Sequence, residues 1–216
     1  MNMNPTRREK VVQAILKRKV SAIIRTDDQQ LAAEAMSAAV DGGFEMIEFT
    51  LTTPGAMELI STFSKRSGLL VGAGTVMTAG VTREAVSAGA SFIVSPICDP
   101  TVVAEAARLD VASIPGAITP TEMEHAYRFG ADFVKVFPEP PGGVDFIRAI
   151  RGPLPHLRLF PTAGVTPDNF IEWLDAGCVG VGFVRSLFEP NDLKSRNFLA
   201  IRSRATKIMD RLRARP

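Results

Sequence analysis

The sequence is poor in the residues that form disulfide bonds and metal centres. Its 216 residues include only two cysteines, Cys98 and Cys178, and two histidines, His125 and His156. So few thiols and imidazoles, set far apart along the chain, exclude a disulfide framework and a tight Cys/His metal cluster. We therefore expect no metal ion to be bound.

Long apolar runs are also missing. No stretch reaches the roughly 18 apolar residues that a membrane-spanning helix needs, and the first residues lack an apolar signal region. The net charge is only +2. Basic residues concentrate near both ends at helical spacing beside apolar residues, which is typical of solvated helix faces rather than of a nucleic-acid site. We expect a soluble, cytoplasmic protein that binds neither membranes nor nucleic acid.

The chain does contain a regular alternation of two patterns. Eight short β-branched or apolar segments predict strands at 20–24, 44–49, 69–71, 92–94, 111–114, 133–137, 157–160 and 179–183. Segments with helical periodicity lie between them, at 30–40, 56–63, 82–88, 102–109, 121–129, 144–150 and 168–174. Three Thr-Pro pairs, at 53–54, 119–120 and 166–167, predict helix starts with a capping hydroxyl.

Eight strands alternating with helices over this length predict one (β/α)8 TIM barrel, a single domain over residues 1–216. An N-terminal helix precedes it, and an extended C-terminal helix follows it. A doubly wound open sheet is the alternative. The chain has no Gly-x-Gly-x-x-Gly after its first strand and no P-loop, which disfavours that fold and nucleotide binding.

Lys135 is the only charged residue in the apolar run at 133–137. The run alternates and is rich in β-branched and aromatic residues, so it predicts a buried strand. Burial lowers the pKa of an amine, and the free amine can attack a carbonyl and form a Schiff base. The other interpretation is a lysine whose ammonium group reaches solvent or pairs with a carboxylate such as Asp132.

Catalytic side chains of a barrel gather where the strands end. Glu45 and Glu48 lie in the second predicted strand, and their odd separation places them on opposite faces. Glu48 is nearer the C-terminal end, so it is the candidate to enter the barrel beside Lys135. A desolvated carboxylate has a raised pKa and can exchange protons near neutral pH. A purely structural ion pair with Lys135 is the alternative.

Six ordered motifs carry a resemblance to a known family: IEFTLTTP at 47–54, VGAGTV at 71–76, FIVSP at 92–96, IPG at 114–116, VKVFP at 134–138 and FPTAGV at 160–165. The chain resembles the KHG/KDPG aldolases, class I enzymes that cleave 4-hydroxy-2-oxoglutarate and 2-keto-3-deoxy-6-phosphogluconate. The resemblance covers nearly the whole chain.

This resemblance implies a pyruvate-dependent carbon-carbon lyase that needs no metal or other cofactor and is usually a homotrimer. Lys135 matches the Schiff-base lysine of the family and Glu48 its general acid/base. The substrate would be a small 2-keto acid, and the products would be pyruvate and an aldehyde. Thr75, Pro96 and Phe137 would shape the pocket for the pyruvyl group.

One departure from the family concerns recognition of the substrate carboxylate. Thr52 stands where the best-known bacterial branch has an arginine that helps bind the substrate carboxylate. Arg25, at the end of the first predicted strand, stands where other branches carry an arginine. Its guanidinium suits a bidentate carboxylate contact, so we assign that role to Arg25.

The distal end of the substrate site also differs. The Pro-Thr-Gly-Gly turn of the family is Pro161-Thr162-Ala163-Gly164 here, and Phe183 stands where relatives commonly have a phosphate-binding serine. Ser186 could substitute for that serine only if its loop is rearranged. We expect Thr162, Ala163, Gly164 and Phe183 to border the distal group, and a non-phosphorylated or shorter 2-keto acid becomes more plausible.

Two functions outside this chemistry stay open. A phosphate-handling barrel isomerase or epimerase would use Glu48 as a base and Lys135 as an electrostatic group. A barrel binding protein that has lost turnover is the other alternative.

Overall fold

A computed structural model describes residues 4–215. In this part of the chain nine strands alternate with ten helices. The strands are β1 Val20–Ile24, β2 Met46–Thr50, β3 Leu70–Gly74, β4 Phe92–Val94, β5 Ala112–Ile114, β6 Gly116–Ala117, β7 Val134–Val136, β8 Leu159–Pro161 and β9 Val181–Phe183. The helices are α1 Arg7–Arg18, α2 Gln29–Asp41, α3 Ala56–Phe63, α4 Ala79–Ser87, α5 Pro100–Arg108, α6 Pro120–Arg128, α7 Val144–Arg151, α8 Phe170–Asp175, α9 Pro190–Lys194 and α10 Phe198–Arg213.

The paired strands are parallel and form two sheets. Six strands follow the order β5-β4-β3-β2-β1-β9, and the other three follow the order β6-β7-β8. Parallel neighbours bring their carboxyl ends to one edge of a sheet, so the loops that follow the strands meet there. The predicted α/β class is confirmed, with a curled parallel sheet of six strands and helices at the N- and C-terminal ends of the described chain.

Pro115 separates β5, which matches the fifth predicted strand at 111–114, from the short strand β6, which was not predicted. Proline has no backbone N–H, so Pro115 cannot donate to a ladder, although its carbonyl accepts a hydrogen bond of 2.8 Å from the Lys135 N–H. β5 pairs with β4, and β6 pairs with β7. Backbone hydrogen bonds link the two sheets at both junctions: Phe133 N–H donates to the Ser113 carbonyl at 3.3 Å, and Val179 N–H donates to the Leu159 carbonyl at 3.0 Å.

Alternate residues of each strand point into two different apolar cores. Val134 and Val136 of β7 belong to the large core between the strands and the surrounding helices. The smaller core lies on the inner face of the strands and is covered at their amino ends by α1. Its buried members are Val11, Val12, Ile15, Met46, Leu70, Phe92, Val94, Ala112, Ile114, Phe133 and Phe160. The carboxyl ends of the strands are left for polar side chains.

The C-terminal helix α10 packs closely on the end of α2. The two helices meet at Gly42. A Cβ added at Gly42 would overlap the side chain of Ala205 and would lie 2.7 Å from the backbone oxygen of Arg202. The close approach therefore requires glycine at this position. No helix of residues 4–215 is both long and apolar enough to cross a bilayer.

One of the three predicted capped helix starts is confirmed. Thr119 caps α6: its hydroxyl accepts from the Glu122 N–H at 3.3 Å, and the Glu122 carboxylate accepts from the Thr119 N–H at 2.8 Å. The prediction is wrong for Thr53, because α3 begins only at Ala56. Thr53 instead accepts a hydrogen bond of 3.3 Å from the Thr26 N–H, which joins two loops at the carboxyl edge. The Thr166 hydroxyl does accept a capping hydrogen bond of 3.2 Å from the Asn169 N–H, but α8 begins later than predicted, at Phe170.

Candidate active site

Lys135 lies in the middle of β7, between Gly116 of β6 and Phe160 of β8. Its side chain is 8 % exposed. The pleat turns Val134 and Val136 toward the helices, so Lys135 points to the opposite, inner face. Burial lowers the pKa of the Lys135 amine, the negative charge of Glu48 opposes this effect, and the positive charge of Arg25 adds to it. The amine is therefore easier to deprotonate than an ordinary lysine.

The pairing of Lys135 with Asp132, one of the alternatives from the sequence, does not occur. Asp132 binds Arg8 instead, with Arg8 Nε 2.9 and 3.0 Å from its two oxygens. It also accepts a hydrogen bond of 3.0 Å from the Ser113 N–H. The Phe137 ring lies beside the amine, with its centroid 4.9 Å from Lys135 Nζ.

Glu48 occupies the inner face of β2 and is 2 % exposed. Its neighbours in register are Ile23 of β1 and Gly72 of β3. Burial raises the pKa of the Glu48 carboxyl, and the positive charges of Lys135 and Arg25 partly offset this effect. Glu48 Oε1 is buried and has no hydrogen-bond partner among residues 4–215. Such an unpaired buried oxygen is free to bind substrate or a water molecule.

Gly74 makes room for this carboxylate. A methyl group on Gly74 would overlap Glu48 Oε1 and lie only 2.8 Å from Cδ. The other glutamate of this segment, Glu45, lies outside, where its carboxylate is 3.3 Å from Arg18 Nε and its side chain is 63% exposed. Of the two carboxylates, only Glu48 reaches the inner face, as the pleat predicts.

Arg25 and Thr75 meet at the carboxyl ends of β1 and β3. Arg25 Nη2 lies 3.4 Å from Thr75 Oγ1, and the Arg25 side chain is exposed. Thr75 has a φ of 62°, in the left-handed region that a β-branched residue rarely adopts. Thr52 is exposed beside them, with its hydroxyl 3.1 Å from Thr50 Oγ1. These side chains offer hydrogen-bond donors to a carboxylate at the open end of the site.

Pro96 borders the same edge between β4 and β5. Its backbone oxygen packs directly on Gly116, where a side chain would overlap it. The preceding Ser95 donates a hydrogen bond of 2.7 Å to the Val76 carbonyl. These contacts fix the ends of β3 and β4 against β6, the strand that pairs with β7 beside Lys135.

The turn at 161–164 brings three predicted site residues together at the end of β8. Thr162 is buried against Gly182, where an added Cβ would lie 2.9 Å from Thr162 Cγ2. Gly164 has a φ of 74°, whereas Ala163 keeps a negative φ and so does not need the conformation that alanine avoids. The carboxylate of Glu139 lies directly against Gly164.

The prediction that the Phe183 side chain contacts substrate is wrong. Gly182 takes the inner position on β9, so the pleat turns Phe183 outward. Its ring is fully buried among Phe44 and Phe170, with centroids 5.9 and 5.5 Å away. Ser186 follows in the next loop, where its hydroxyl donates a hydrogen bond of 2.7 Å to the Val165 carbonyl.

Sequence reasoning missed four residues near this edge: Gly74, Glu139, Arg185 and Lys194. Gly74 lies within the recognised VGAGTV motif, so its role was within reach of the sequence. Arg185 follows β9, and with Lys194 of α9 it borders a cavity of about 810 Å³ that also reaches Arg25 and Thr52. The positions of Glu139, Arg185 and Lys194 depend on loop geometry that no local pattern encodes.

Comparisons with known proteins agree with this geometry. The family model described as KDPG and KHG aldolase matches residues 11–203. The 2-dehydro-3-deoxy-6-phosphogalactonate aldolase of Escherichia coli (strain K12) is 34% identical over 172 residues, covering 77% of this chain and 83% of that protein. The 2-dehydro-3-deoxy-phosphogluconate aldolase of Pseudomonas aeruginosa is 36% identical over 166 residues, covering 74% of each.

Solved structures show the same likeness. The KDPG aldolase of Legionella pneumophila, with pyruvate captured as a covalent carbinolamine intermediate, superposes with a TM-score of 0.81 at 26% identity, covering 92% of this chain and 97% of that one. A native KDPGal structure gives a TM-score of 0.80 at 29% identity, covering 90% and 94%. The match of the family model to most of the chain, together with these relatives, shows that the protein belongs to the KDPG and KHG aldolase family.

Proposed function

We propose that this protein is a class I aldolase that cleaves a 4-hydroxy-2-keto acid, such as 2-keto-3-deoxy-6-phosphogluconate or 4-hydroxy-2-oxoglutarate, to pyruvate and an aldehyde. The observation that carries the proposal is a desolvated amine, Lys135, on the same inner face as a buried carboxylate, Glu48, whose Oε1 has no partner within residues 4–215. A structural ion pair would instead satisfy that oxygen.

Lys135 is proposed to form the Schiff base. Its neutral amine attacks the C2 ketone to give a carbinolamine, which loses water to give an iminium ion. The captured carbinolamine in the Legionella pneumophila relative supports this step. The iminium nitrogen then accepts the electron pair of the C3–C4 bond as that bond breaks. Since the iminium is the electron sink, the proposed reaction needs no metal ion or other cofactor.

Glu48 is proposed to move the protons. As a carboxylate, directly or through a water molecule, it removes the proton from the C4 hydroxyl, so that the departing fragment leaves as an aldehyde. The enamine left on Lys135 then takes a proton at C3 from the same carboxyl group. Hydrolysis of the iminium releases pyruvate and restores the amine. The raised pKa of the Glu48 carboxyl, caused by burial, suits it to both transfers.

Five residues are proposed to hold the pyruvyl end. Arg25 supplies a guanidinium for the C1 carboxylate, with Thr75 and Thr52 as neighbouring hydroxyl donors. The ring of Phe137, 4.9 Å from Lys135 Nζ, packs beside the imine. Pro96 forms the opposite wall of the pocket.

We also propose that the strands close into one eight-stranded barrel, as the sequence predicts. β5 and β6 would then be two halves of one strand interrupted by Pro115. The hydrogen bonds from Phe133 to Ser113 and from Val179 to Leu159 support closure at both junctions between the sheets. A closed barrel places Lys135 and Glu48 inside one ring of strands, open to the substrate at the carboxyl edge.

A homotrimer is proposed as the working assembly. A designed cube-shaped protein cage, made by fusing symmetric oligomeric domains, contains a chain that is 27% identical and superposes with a TM-score of 0.76. Light scattering after gel filtration tests the proposal, since a trimer has three times the chain mass of 23.3 kDa. The cytoplasmic location expected from the sequence stays a prediction.

Borohydride reduction in the presence of pyruvate tests the proposed chemistry. We expect one reduced pyruvyl adduct per chain by intact mass, and none in Lys135→Ala. Lys207→Ala is the matched control, because Lys207 is exposed on α10 and should leave the adduct unchanged. Pyruvate release from both 4-hydroxy-2-keto acids then identifies the substrate. No adduct in the wild type at saturating pyruvate would contradict the proposal and favour an isomerase, an epimerase or a binding protein.

A further inference from the structure

A cavity of about 810 Å³ opens between the loops that follow β1 and β9, with α9 as its outer wall. Its walls are largely apolar and are formed by Ile23, Leu31, Val184, Phe188, Pro190 and Leu193. Ligand sites in proteins are commonly concave and apolar with a few polar groups that fix the ligand. The polar groups of this cavity therefore indicate which ligand it fits.

The charged groups of this cavity are mainly cationic. Arg25, Arg185 and Lys194 border the cavity, whereas Asp27 is its one carboxylate. The side chains of Arg185 and Lys194 form no hydrogen bond or salt bridge within residues 4–215, so their charges are available to a ligand. The cavity thus carries an excess of positive charge that favours an anion.

The nearby acidic residues of α9 do not cancel this charge. Arg204 of α10 lies 2.9 Å from the Glu189 carboxylate and 2.8 Å from the Asp192 carboxylate. Its Nη1 also donates a hydrogen bond of 2.7 Å to the Leu187 carbonyl. Arg204 therefore holds the outer wall in place and offsets one of its two negative charges. The three cations of the cavity still exceed the remaining negative charge and that of Asp27.

Arg25 connects the cavity to the proposed catalytic pair. It borders the cavity, and its Nη2 is 3.4 Å from Thr75 Oγ1 at the end of β3. Its positive charge also lowers the pKa of both Glu48 and Lys135. A substrate whose C1 carboxylate binds Arg25 can therefore extend into this cavity.

The turn at 161–164 offers a poor alternative for an anion. The Glu139 carboxylate packs directly against Gly164. A Cβ added at Gly164 would overlap this carboxylate and would lie 2.7 Å from Glu139 Cγ. The carbonyl of Gly164 also accepts a hydrogen bond of 2.8 Å from Asn169 Nδ2. An anionic substrate group bound at this turn would be repelled by the negative charge of the Glu139 carboxylate at short range.

We infer that the anionic distal group of the substrate binds Arg185 and Lys194 in this cavity and not the turn at 161–164. The inference rests on the proposed aldolase function and assigns the residues that bind the distal group. Arg185 and Lys194 are specificity residues that act on the distal group, while Lys135 and Glu48 act on the reacting carbons.

Three substrates with different distal groups test the inference. They are 2-keto-3-deoxy-6-phosphogluconate, 4-hydroxy-2-oxoglutarate and uncharged 2-keto-3-deoxygluconate. We expect Arg185→Gln and Lys194→Gln to lower kcat/KM for the anionic substrates by roughly tenfold to a hundredfold, mainly through KM. The uncharged substrate should change less than about twofold. The anionic substrate whose kcat/KM falls more in these variants shows whether the cavity binds a phosphate or a carboxylate. Lys207→Gln is the matched surface control.

Glu139→Gln distinguishes the two anion sites. If the anion binds in the cavity, this variant changes kcat/KM for the phosphorylated substrate by less than about threefold. The inference would be overturned in favour of the turn if Glu139→Gln raised kcat/KM for the phosphorylated substrate by more than about tenfold while Arg185→Gln left that kcat/KM unchanged. An equal loss on all three substrates in Arg185→Gln would also overturn it, since it would indicate a structural role.

Pyruvate trapping separates this inference from the proposed function. Pyruvate has no distal group, so the adduct should form equally in the wild type, Arg185→Gln and Lys194→Gln. A wild type that traps pyruvate but cleaves neither anionic substrate overturns the inference alone. A wild type that traps no pyruvate overturns the proposed function.

Discussion

Gly74 and Glu48 occupy neighbouring strands so closely that a methyl group on the glycine would overlap Glu48 Oε1. They are close because β2 and β3 pair in parallel with both residues near the carboxyl edge of the sheet. The missing side chain leaves a space in which a buried carboxylate stays free of hydrogen-bond partners from residues 4–215. The glycine therefore shapes the site without contacting substrate.

Gly74→Ala should disable the enzyme by displacing this carboxylate. Since small displacements of a catalytic group have large effects on rate, we expect kcat to fall by roughly a hundredfold. Steady-state kinetics of pyruvate release measure the effect. Gly80→Ala is the control, because the nearest atoms to a methyl group there are 3.8 Å away and activity should be unchanged. Equal activity in the two variants would contradict the role of Gly74.

Glu48→Gln should separate the Schiff base from turnover. The amide cannot exchange the proton, so we expect kcat to fall by roughly a hundredfold to ten-thousandfold. Trapping of pyruvate should persist, because the charge of Glu48 raises the pKa of Lys135 and its removal lowers that pKa further. The pH at which trapping is half-maximal should therefore move to lower values.

The control for this variant is Glu45→Gln, whose carboxylate lies outside near Arg18. It should keep both turnover and trapping. Loss of trapping together with turnover in Glu48→Gln would show that Glu48 is needed to form the imine, which contradicts the proposed division of roles.

The two proposed catalytic residues were predictable because each is a charged residue in an apolar strand segment, where burial of the charge is unfavourable. The alternation of side chains along the strand alone selects Glu48 over Glu45. The strand segments were also predictable, since their β-branched and apolar runs are separated by helical periodicity. Family membership, predicted from the ordered motifs, is confirmed.

The errors arose where local sequence does not determine direction or spacing. Both neighbours of Gly182 on β9 are apolar, so composition alone does not reveal that Phe183 turns outward. Thr53 looks like a cap, but it is used to join two loops instead. The approach of Glu139 to Gly164 depends on two loops that are distant in sequence, and only the fold brings them together.

Burial of the two charged groups should reduce the stability of the fold. We expect the double variant Lys135→Met, Glu48→Gln to raise the free energy of unfolding by about 1–4 kcal/mol at neutral pH, because uncharged side chains avoid the desolvation of both groups. Urea denaturation measures the difference. A double variant less stable than the wild type would show that the pair contributes to folding.

The pH dependence of wild-type stability follows from the same pair. Folding raises the pKa of Glu48 above 4.5. Between pH 4.5 and this raised pKa the folded state binds more protons than the unfolded state, so stability falls as the pH rises through that range. Folding lowers the pKa of Lys135 below 10.5, so the unfolded state binds the extra proton and stability rises as the pH increases toward that value. The advantage of the double variant should therefore be largest near neutral pH.

Thr75→Gly should increase the stability of the fold and weaken substrate binding. The φ of 62° at Thr75 strains a β-branched residue, and such strain costs about 1–3 kcal/mol. Glycine relieves the strain but loses more conformational entropy on folding, so we expect a net gain in stability of about 1 kcal/mol. Loss of the hydroxyl that lies 3.4 Å from Arg25 should raise KM for the keto acid by roughly threefold to tenfold.

Lys19→Gly is the matched control for Thr75→Gly, because Lys19 has a φ of 63° at the end of α1, away from the carboxyl edge. It should gain similar stability and keep KM unchanged. If both variants gain stability and both keep KM, the strained backbone at Thr75 serves no purpose in substrate binding. If only Thr75→Gly raises KM, the strain is retained because it holds the hydroxyl beside Arg25, where the C1 carboxylate is proposed to bind.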